Sequence, residues 1–230
     1  MWPGADTEVE AFVFRHPESE ANVTNTNLGN AAMLSPKGEL QIEPMFERID
    51  QLRVGAIICS EAERALHPVR TTAHKHTLPV VQDALFNEFR RPSWTVGKSN
   101  EDPEVAEALR RRIREFGPEY KPEGDGESFI EAWVRIELGL NFIRTTAHNF
   151  GTKRVAVIEH GLLARMQKSL IYSRGDFERF GYFFQALYEV EGFANAGMMH
   201  IWYGFPFRNT SEKCWNIEGA DTSHLPEDLR

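Results

Sequence analysis

Short apolar runs of strand length alternate along this chain with longer stretches in which apolar residues recur at helical spacing. The runs cover residues 9–14, 54–59, 79–82, 154–159 and 195–203. The helical stretches cover 35–51, 62–75, 103–116, 127–149 and 161–172. Strands separated by helices usually pair in parallel and bury both faces of their sheet. We therefore expect an α/β fold, a three-layer sandwich in which a mostly parallel sheet carries helices on both faces.

Composition narrows the class of protein. A chain of 230 residues and 26.3 kDa, 41% of it hydrophobic, is typical of one globular domain. Its formal net charge of -8 argues against a nucleic-acid partner. No stretch reaches the length of a membrane span, and the first residues lack a secretion signal. The two cysteines, Cys59 in an apolar run and Cys214, favour a reducing compartment. We expect a cytoplasmic protein without a membrane partner; its oligomeric state stays open.

The first apolar run ends in an arginine beside a histidine. The segment is Ala11-Phe-Val-Phe-Arg15-His16-Pro-Glu-Ser-Glu-Ala-Asn22. It places a permanently charged donor next to a nitrogen nucleophile, a pairing that suits transfer of a phosphoryl group. The alternative is a basic strand end that faces solvent.

A second run also delivers a histidine. The segment Arg154-Val-Ala-Val-Ile-Glu-His160-Gly161 is a strand followed by glycine and a helical pattern. Ligands of open α/β sheets bind beyond the carboxyl ends of the strands. His16 and His160 are therefore expected to converge on one pocket.

Further short motifs lie between and beside these two segments. They are Leu34-Ser-Pro-Lys-Gly38, Ile57-Ile58-Cys59-Ser60-Glu-Ala-Glu-Arg64-Ala65, Leu85-Phe-Asn-Glu88 and Gly126-Glu127-Ser128. In this order the motifs resemble the histidine phosphatase superfamily, which includes the cofactor-dependent phosphoglycerate mutases and fructose-bisphosphatases. The resemblance runs from about Phe12 to Asn195 and implies a phosphoglycerate mutase-like fold.

The resemblance implies two reacting side chains. His16 corresponds to the family's phospho-acceptor, whose imidazole attacks phosphorus and holds the group as phosphohistidine. Glu88 corresponds to the proton donor, which protonates the leaving alcohol and then activates water. The family motif is Arg-His-Gly, whereas this chain has Pro17 in the third position, which removes one backbone donor from the loop.

The same resemblance implies a cationic cradle for the phosphate. Arg15, Arg64 and His160 would hold its oxygens, and His160 would add donors if it is protonated. Asn22 matches a residue that hydrogen-bonds the phosphate. Arg64 fits the pattern Ser-x-x-x-Arg-Ala, although Pro68-Val69 replaces the Thr-Ala pair that follows it in the family. An alternative register would use Arg70 instead.

Other polar residues of the motifs have structural explanations. Ser19, Glu127 and Ser128 are weaker candidates for pocket contacts, and the preferred interpretation is that they are structural. Residues 89–126 form an irregular charged excursion, and in the resembling family the corresponding insertion covers the active site and helps choose the substrate. Residues 195–203 are predicted to be the last strand, with a polar tail from about 206 that wraps the surface or frays.

The residues and the resemblance together predict a phosphatase that hydrolyses a small phosphorylated substrate, without metal or organic cofactor. One alternative is a mutase, but the Gly-Trp stretch and the tyrosine segment that mark the family's mutases are missing after Asn22 and Glu88. A second alternative, motivated by Pro17 and Pro68-Val69, is a phosphate-binding module without turnover.

Overall fold

The computed structural model describes residues 7–72, 77–114, 124–190, 192–205 and 212–230. The strands within these ranges are β1 (Thr7–Arg15), β2 (Ala56–Cys59), β3 (Val80–Gln82), β4 (Arg154–Glu159), β5 (Met198–Gly204) and β6 (Cys214–Asp221). The α-helices are α1 (Glu20–Val23), α2 (Pro36–Leu52), α3 (Glu63–Thr72), α4 (Pro103–Arg114), α5 (Phe129–Asn149), α6 (Gly161–Ser173) and α7 (Phe177–Val190). Short 3-10 turns lie at Gly29–Ala31, Ala84–Phe86, Ser93–Thr95 and Glu227–Leu229.

The described strands form one sheet in the order β3-β2-β4-β1-β5-β6. The pairs β3–β2, β2–β4 and β4–β1 are parallel, whereas β5 is antiparallel to both β1 and β6. The predicted mostly parallel sheet is confirmed. From β1 the chain crosses toward β2, and from β4 it crosses the other way toward β5. The carboxyl ends of β1 and β4 therefore flank a topological switch point, where open α/β sheets bind ligands.

Alternate residues of β1 face two separate hydrophobic cores. Val9, Ala11 and Val13 pack with apolar residues of α5, α6 and α7, whereas Phe12 and Phe14 pack with those of α2 and α3. Successive side chains of a strand point to opposite faces, so the two cores lie on opposite sides of the sheet. This arrangement confirms the predicted three layers.

The helix starts follow the local sequence. Ser35 caps α2 by accepting a hydrogen bond from the N–H of Gly38, and Pro36 occupies the first turn, where its missing N–H costs nothing. Ser128 and Glu131 form a reciprocal capping box at the start of α5. The predicted helices agree with α2 to α6 to within about three residues, and residues 73–75 and 115–116 of the predictions lie outside the described residues.

Besides the one-turn helix α1, two longer elements were not predicted from the sequence. The prediction that 195–203 is the last strand is wrong, because β6 follows it and pairs with β5 along its length. Most of β6 is half-buried or exposed, so it lacks the apolar run that indicates a strand. Helix α7 was not predicted either, although Phe180 and Phe184, four residues apart, pack into the core on one helix face. None of the helices in the described ranges is long and apolar enough to span a bilayer.

Candidate active site

The register of β1 and β4 brings the two histidines together. Arg15 pairs with Glu159 at the end of the parallel ladder, and the N–H of His16 donates to the Glu159 carbonyl at 2.8 Å. His16 and His160 each follow directly, so their rings meet with centroids 5.1 Å apart and planes at 62°. Both side chains are buried, with 3% of His16 and none of His160 exposed. The predicted convergence of the two strand ends is thus observed in the geometry.

Two contacts determine which nitrogen of His16 carries the proton. The Nδ1 atom lies 2.6 Å from the carbonyl oxygen of Pro17, which can only accept, so Nδ1 carries the hydrogen. The Nε2 atom lies 3.2 Å from Nε of Arg64, which can only donate, so Nε2 presents its lone pair. Burial, with repulsion from Arg64 and Arg15, holds the pKa of His16 well below its usual range. His16 is therefore neutral, with a lone pair on Nε2 that a nucleophile would use.

Arg64 lies in the first turn of α3, where the chain leaves β2. Besides its contact with His16, it donates from one terminal nitrogen to the carbonyl of Gly29 at 2.7 Å. The alternative residue, Arg70, is exposed near the end of the same helix and pairs with Glu63 at 2.9 Å. Arg64 lines the pocket and Arg70 does not. The geometry therefore favours the register that uses Arg64.

Arg15 reaches the pocket from the last position of β1. One terminal nitrogen donates to the carbonyl of Phe193. Its guanidinium passes so close to Gly161 that a Cβ at that position would lie 3.0 Å from the Arg15 Nε. Burial lowers the pKa of Arg15 to about 10, which leaves it charged at neutral pH.

His160 belongs to a chain of hydrogen bonds behind the pocket. The Asn87 Oδ1 accepts from the N–H of Glu61 at 3.0 Å and from the hydroxyl of Ser60 at 2.7 Å. Because the Ser60 hydrogen is used in this way, its oxygen accepts from His160 Nε2 at 2.8 Å. His160 therefore carries its proton on Nε2, and its buried Nδ1 has no hydrogen-bond partner among the described residues.

The burial of His160 affects its charge state. Burial, followed by repulsion from Arg64, holds the pKa of His160 well below its usual range. The imidazole is therefore expected to be neutral, so the additional donor that a protonated ring would supply is missing in this state. The cause is complete desolvation beside two arginines, which disfavours the charged form.

Glu88 lies at the beginning of α6 and faces the pocket. Its Oε1 accepts from the N–H of Phe89 at 2.8 Å and of Leu163 at 3.1 Å, and its Oε2 accepts from Leu162 at 3.3 Å. A helix N-terminus attracts a carboxylate through exposed N–H groups and the helix dipole. Main-chain N–H groups at the start of α6 thus hold the Glu88 carboxylate in the wall of the pocket.

Asn22 lines the pocket from α1, and its side chain is already engaged. The Asn22 Oδ1 accepts from both the N–H and the hydroxyl of Ser19, at 3.0 and 2.9 Å, and from Asn195 Nδ2 at 2.9 Å. No acceptor among the described residues contacts the side-chain N–H₂ group of Asn22, which could therefore donate to a ligand. Ser19 is buried and caps α1, as its structural interpretation requires, although it also borders the pocket.

Glu127 and Ser128 also have structural partners. Glu127 forms a two-pronged ion pair with Arg135, with oxygen–nitrogen distances of 2.7 and 2.8 Å, and accepts from the N–H of Arg90. Arg135 in turn donates to the carbonyls of Leu85 and Asn87, which position the segment that carries Glu88. Glu127 lines the pocket as well, so its role is to build the wall beneath Glu88.

The predicted site residues share one cavity of about 690 Å³. Arg15, His16, Asn22, Arg64 and Glu88 line it, and His160 lies immediately behind His16. Sequence reasoning missed Ser60, Asn87 and Arg91, all of which stood inside or next to the quoted motifs. Among the described residues, no three His, Cys, Asp or Glu side chains are arranged to hold a metal ion.

Comparisons with known proteins agree with this geometry. A search among curated proteins found no significant match. Among solved structures, a provisionally assigned alpha-ribazole-5′-P phosphatase from Escherichia coli K-12 has a TM-score of 0.72 at 18% identity, covering 93% of this chain and 96% of its own. The alpha-ribazole phosphatase from Shigella flexneri has a TM-score of 0.65 at 20% identity, covering 92% of this chain and 96% of its own. A mycobacterial glucosyl-3-phosphoglycerate phosphatase in complex with VO3 has a TM-score of 0.68 at 18% identity, covering 92% of this chain and 98% of its own.

At these identities the solved structures show a shared fold, and the family assignment rests on sequence. The sequence model of the histidine phosphatase superfamily, branch 1, matches residues 11–194, which include every predicted site residue and most of the sheet. The chain therefore belongs to branch 1 of the histidine phosphatase superfamily.

Proposed function

We propose that this protein hydrolyses phosphomonoesters through a phosphohistidine at His16. The observation that carries the proposal is the state of that ring: buried, neutral, and fixed with the Nε2 lone pair facing a cavity lined by Arg15 and Arg64. A nitrogen nucleophile beside permanent cations suits the dispersed negative charge of a transferring phosphoryl group.

In the first step, His16 Nε2 attacks phosphorus and the bond from phosphorus to the leaving oxygen breaks. The N–H of Arg64 that now contacts Nε2 would turn to a phosphate oxygen, and Arg15 would bind a second oxygen. The leaving oxygen takes a proton from Glu88.

In the second step, Glu88, now ionised, removes a proton from water, and the water oxygen attacks phosphorus. The nitrogen–phosphorus bond breaks and its electron pair returns to His16 Nε2, which restores the starting ring. The Pro17 carbonyl holds Nδ1–H throughout, and a proline supplies that carbonyl as well as a glycine does. The replacement of glycine at this position is therefore compatible with turnover, which favours an enzyme over the binding module.

The substrate proposed is a small phosphorylated molecule. The cavity volume of about 690 Å³ fits a metabolite-sized ligand. The relatives reported above are named as phosphatases, which favours hydrolysis over isomerisation for this chain. The described part of the 89–126 segment supplies part of the rim, through Phe89, Arg90, Arg91, Ser93, Val96, Asn100 and Asp125. This segment, of which residues 115–123 lie outside the described ranges, is proposed to select the substrate. The whole chain is proposed to be a single cytoplasmic domain.

Trapping of the covalent intermediate tests the proposal. p-Nitrophenolate is a good leaving group that needs no protonation, so Glu88→Gln is expected to form the phosphoenzyme from p-nitrophenyl phosphate but to hydrolyse it slowly. Mass spectrometry of peptides prepared at alkaline pH should find the phosphoryl group on His16. Turnover is expected to fall by about a hundredfold or more.

Matched variants complete the experiment. His16→Ala is expected to form no phosphoenzyme, and Arg64→Gln to lose at least tenfold in kcat/KM, whereas Arg70→Gln on the same helix keeps full activity. The proposal fails if His16→Ala retains turnover, or if the purified protein binds phosphate without hydrolysing any phosphomonoester.

A further inference from the structure

Arg91 is a pocket arginine that the proposed mechanism does not use. It lines the cavity together with Arg15, Arg64 and Glu88. Its guanidinium donates to a neutral amide oxygen, Asn100 Oδ1, at 2.5 Å. Within the described ranges no carboxylate lies at salt-bridge distance from it. A half-buried guanidinium without an anionic partner is a ready binding group for an anion.

The charge balance of the cavity supports this interpretation. Six arginines and three carboxylates line it within the described part of the chain, although the chain as a whole is acidic. Glu127 neutralises Arg135, and Arg15 and Arg64 would neutralise one phosphate, which carries about two negative charges at neutral pH. Arg91 lies near enough to Arg64 that its repulsion adds to burial in lowering the pKa of Arg64. A positive charge therefore remains on the rim after the phosphate is bound.

Hydrogen bonds between two segments of the pocket rim hold Arg91 in position. Asn100 donates from its amide to Asn25 Oδ1 at 2.7 Å while it accepts from Arg91. Around this contact the segment 25–27 pairs with 97–100 through main-chain hydrogen bonds, among them Asn100 N to Asn25 O at 2.8 Å and Asn27 N to Lys98 O at 3.1 Å. A charged group that is oriented in advance binds with a smaller loss of side-chain entropy.

We propose that Arg91 forms a second anion subsite, so that the preferred substrate carries another anionic group, a carboxylate or a second phosphate, besides the phosphate that is transferred. The inference rests on the proposed function, because it places the transferred phosphate between Arg15 and Arg64. Arg91 determines specificity by binding the part of the substrate that does not react, and binding energy from that part raises kcat/KM.

Matched pairs of substrates test the subsite. Glycerol 3-phosphate and 3-phosphoglycerate differ by a carboxylate, and fructose 6-phosphate and fructose 1,6-bisphosphate differ by a phosphate. We expect the charged member of at least one pair to have a kcat/KM roughly ten- to a hundredfold higher, the range of a charge-assisted hydrogen bond. The pair that shows the preference identifies the anion.

Variants connect the preference to Arg91. Arg91→Gln is expected to reduce the ratio within that pair to near one, mainly through KM, and Arg91→Lys to restore part of it. Arg70→Gln, which removes an arginine outside the cavity, should keep the ratio of the parent. The subsite is refuted if the parent shows no preference in either pair, or if Arg91→Gln lowers both members of the pair equally.

The two proposals fail in different ways. If the parent hydrolyses no phosphomonoester, p-nitrophenyl phosphate included, the proposed hydrolysis is wrong. The subsite is then tested by calorimetry, which measures the binding affinity of each member of the same pairs. Tighter binding of the charged member by the parent, lost in Arg91→Gln, supports the subsite without turnover. Equal binding of both members by the parent overturns it.

Discussion

The hydroxyl of Ser60 determines which ring nitrogen of His160 carries the proton. Its own hydrogen is committed to Asn87, so it can only accept from His160, and the imidazole must keep its proton on Nε2. The buried Nδ1 is left as a bare lone pair. A phosphate oxygen that approaches this lone pair needs a proton between the two atoms, so we expect substrate binding to protonate His160 or to select a protonated phosphate.

Replacement of Ser60 tests this relay at the scale of one residue. Ser60→Ala leaves the Nε2–H of His160 and the Oδ1 of Asn87 without their shared partner, which costs about 1–3 kcal/mol in the folded state. We expect kcat/KM for p-nitrophenyl phosphate to fall about tenfold. Nitrogen-15 chemical shifts of the His160 ring should show a proton on Nε2 in the parent and a mixture of tautomers in the variant.

The control for this variant is another buried serine. Ser173 donates to the carbonyl of Leu170 at 2.9 Å and does not line the pocket. Ser173→Ala is expected to lose stability without loss of activity. A loss of activity no larger in Ser60→Ala than in Ser173→Ala would contradict the role assigned to the hydroxyl.

At the scale of an element, the first turn of α6 organises three parts of the site. His160 directly precedes the helix, Gly161 is its first residue, and the N–H groups of Leu162 and Leu163 hold Glu88. Arg15 fills the space that a side chain at Gly161 would occupy. The glycine is therefore required by the close approach of Arg15.

Gly161→Ala is expected to lower activity without lowering stability. The new methyl group would lie 3.0 Å from Arg15 Nε, so the guanidinium must shift by a few tenths of an ångström. Because small displacements of binding groups cost rate, we expect a loss of about three- to tenfold in kcat/KM. The unfolding midpoint should change little, since alanine has the higher helix propensity.

A helical glycine with more room provides the comparison. A Cβ at Gly139 in α5 would meet its nearest atom, on Phe86, at an ordinary 3.8 Å. Gly139→Ala is expected to raise stability by about 0.5–1 kcal/mol with unchanged activity. Equal activity of the two variants would show that Arg15 does not depend on the absence of a side chain at Gly161.

At the scale of the whole molecule, a buried carboxyl group lies in the sheet beside the candidate site. Glu159 is fully buried at the end of β4, and one of its oxygens has no hydrogen-bond partner among the described residues. Burial, opposed by the hydrogen bond from Gln167, raises the pKa of Glu159 well above its ordinary value of 4.5. The folded protein therefore keeps a proton that the unfolded chain releases above that pH.

This difference makes global stability depend on pH with a definite sign. Where the unfolded chain binds fewer protons, the free energy of unfolding falls as pH rises, so the penalty from Glu159 begins above pH 4.5 and continues up to its raised pKa. Glu159→Gln has no proton to retain. We expect it to match the parent at pH 4 and to be more stable at pH 8, measured by denaturant unfolding.

An exposed glutamate serves as the reference for this measurement. Glu227→Gln, in the exposed 3-10 turn near the end of the chain, should leave the same stability difference from the parent at both values of pH. A Glu159→Gln variant with no gain at pH 8 would show that the carboxyl is ionised and compensated in the folded state.

The sequence predicted the sheet and the meeting of His16 and His160, because both follow apolar strands and parallel strands end at one edge. It also favoured Arg64 over Arg70 by spacing, and burial agrees. Other features depend on partners distant in sequence: β6 gains its order from pairing with β5, and the neutral state of His160 follows from desolvation beside two arginines. Such features leave no local pattern.

The carbonyl of Gly29 has a consequence for how this scaffold could diversify. It accepts from Arg64, while the residues just before it are joined to the segment 97–100 through main-chain hydrogen bonds. An insertion or a graft that changes the shape of the 97–100 segment would thus also displace Arg64, the arginine proposed to bind the phosphate. New specificities on this framework should arise by exchange of rim side chains more readily than by swapping the loop, because side-chain exchange leaves the Gly29 anchor in place.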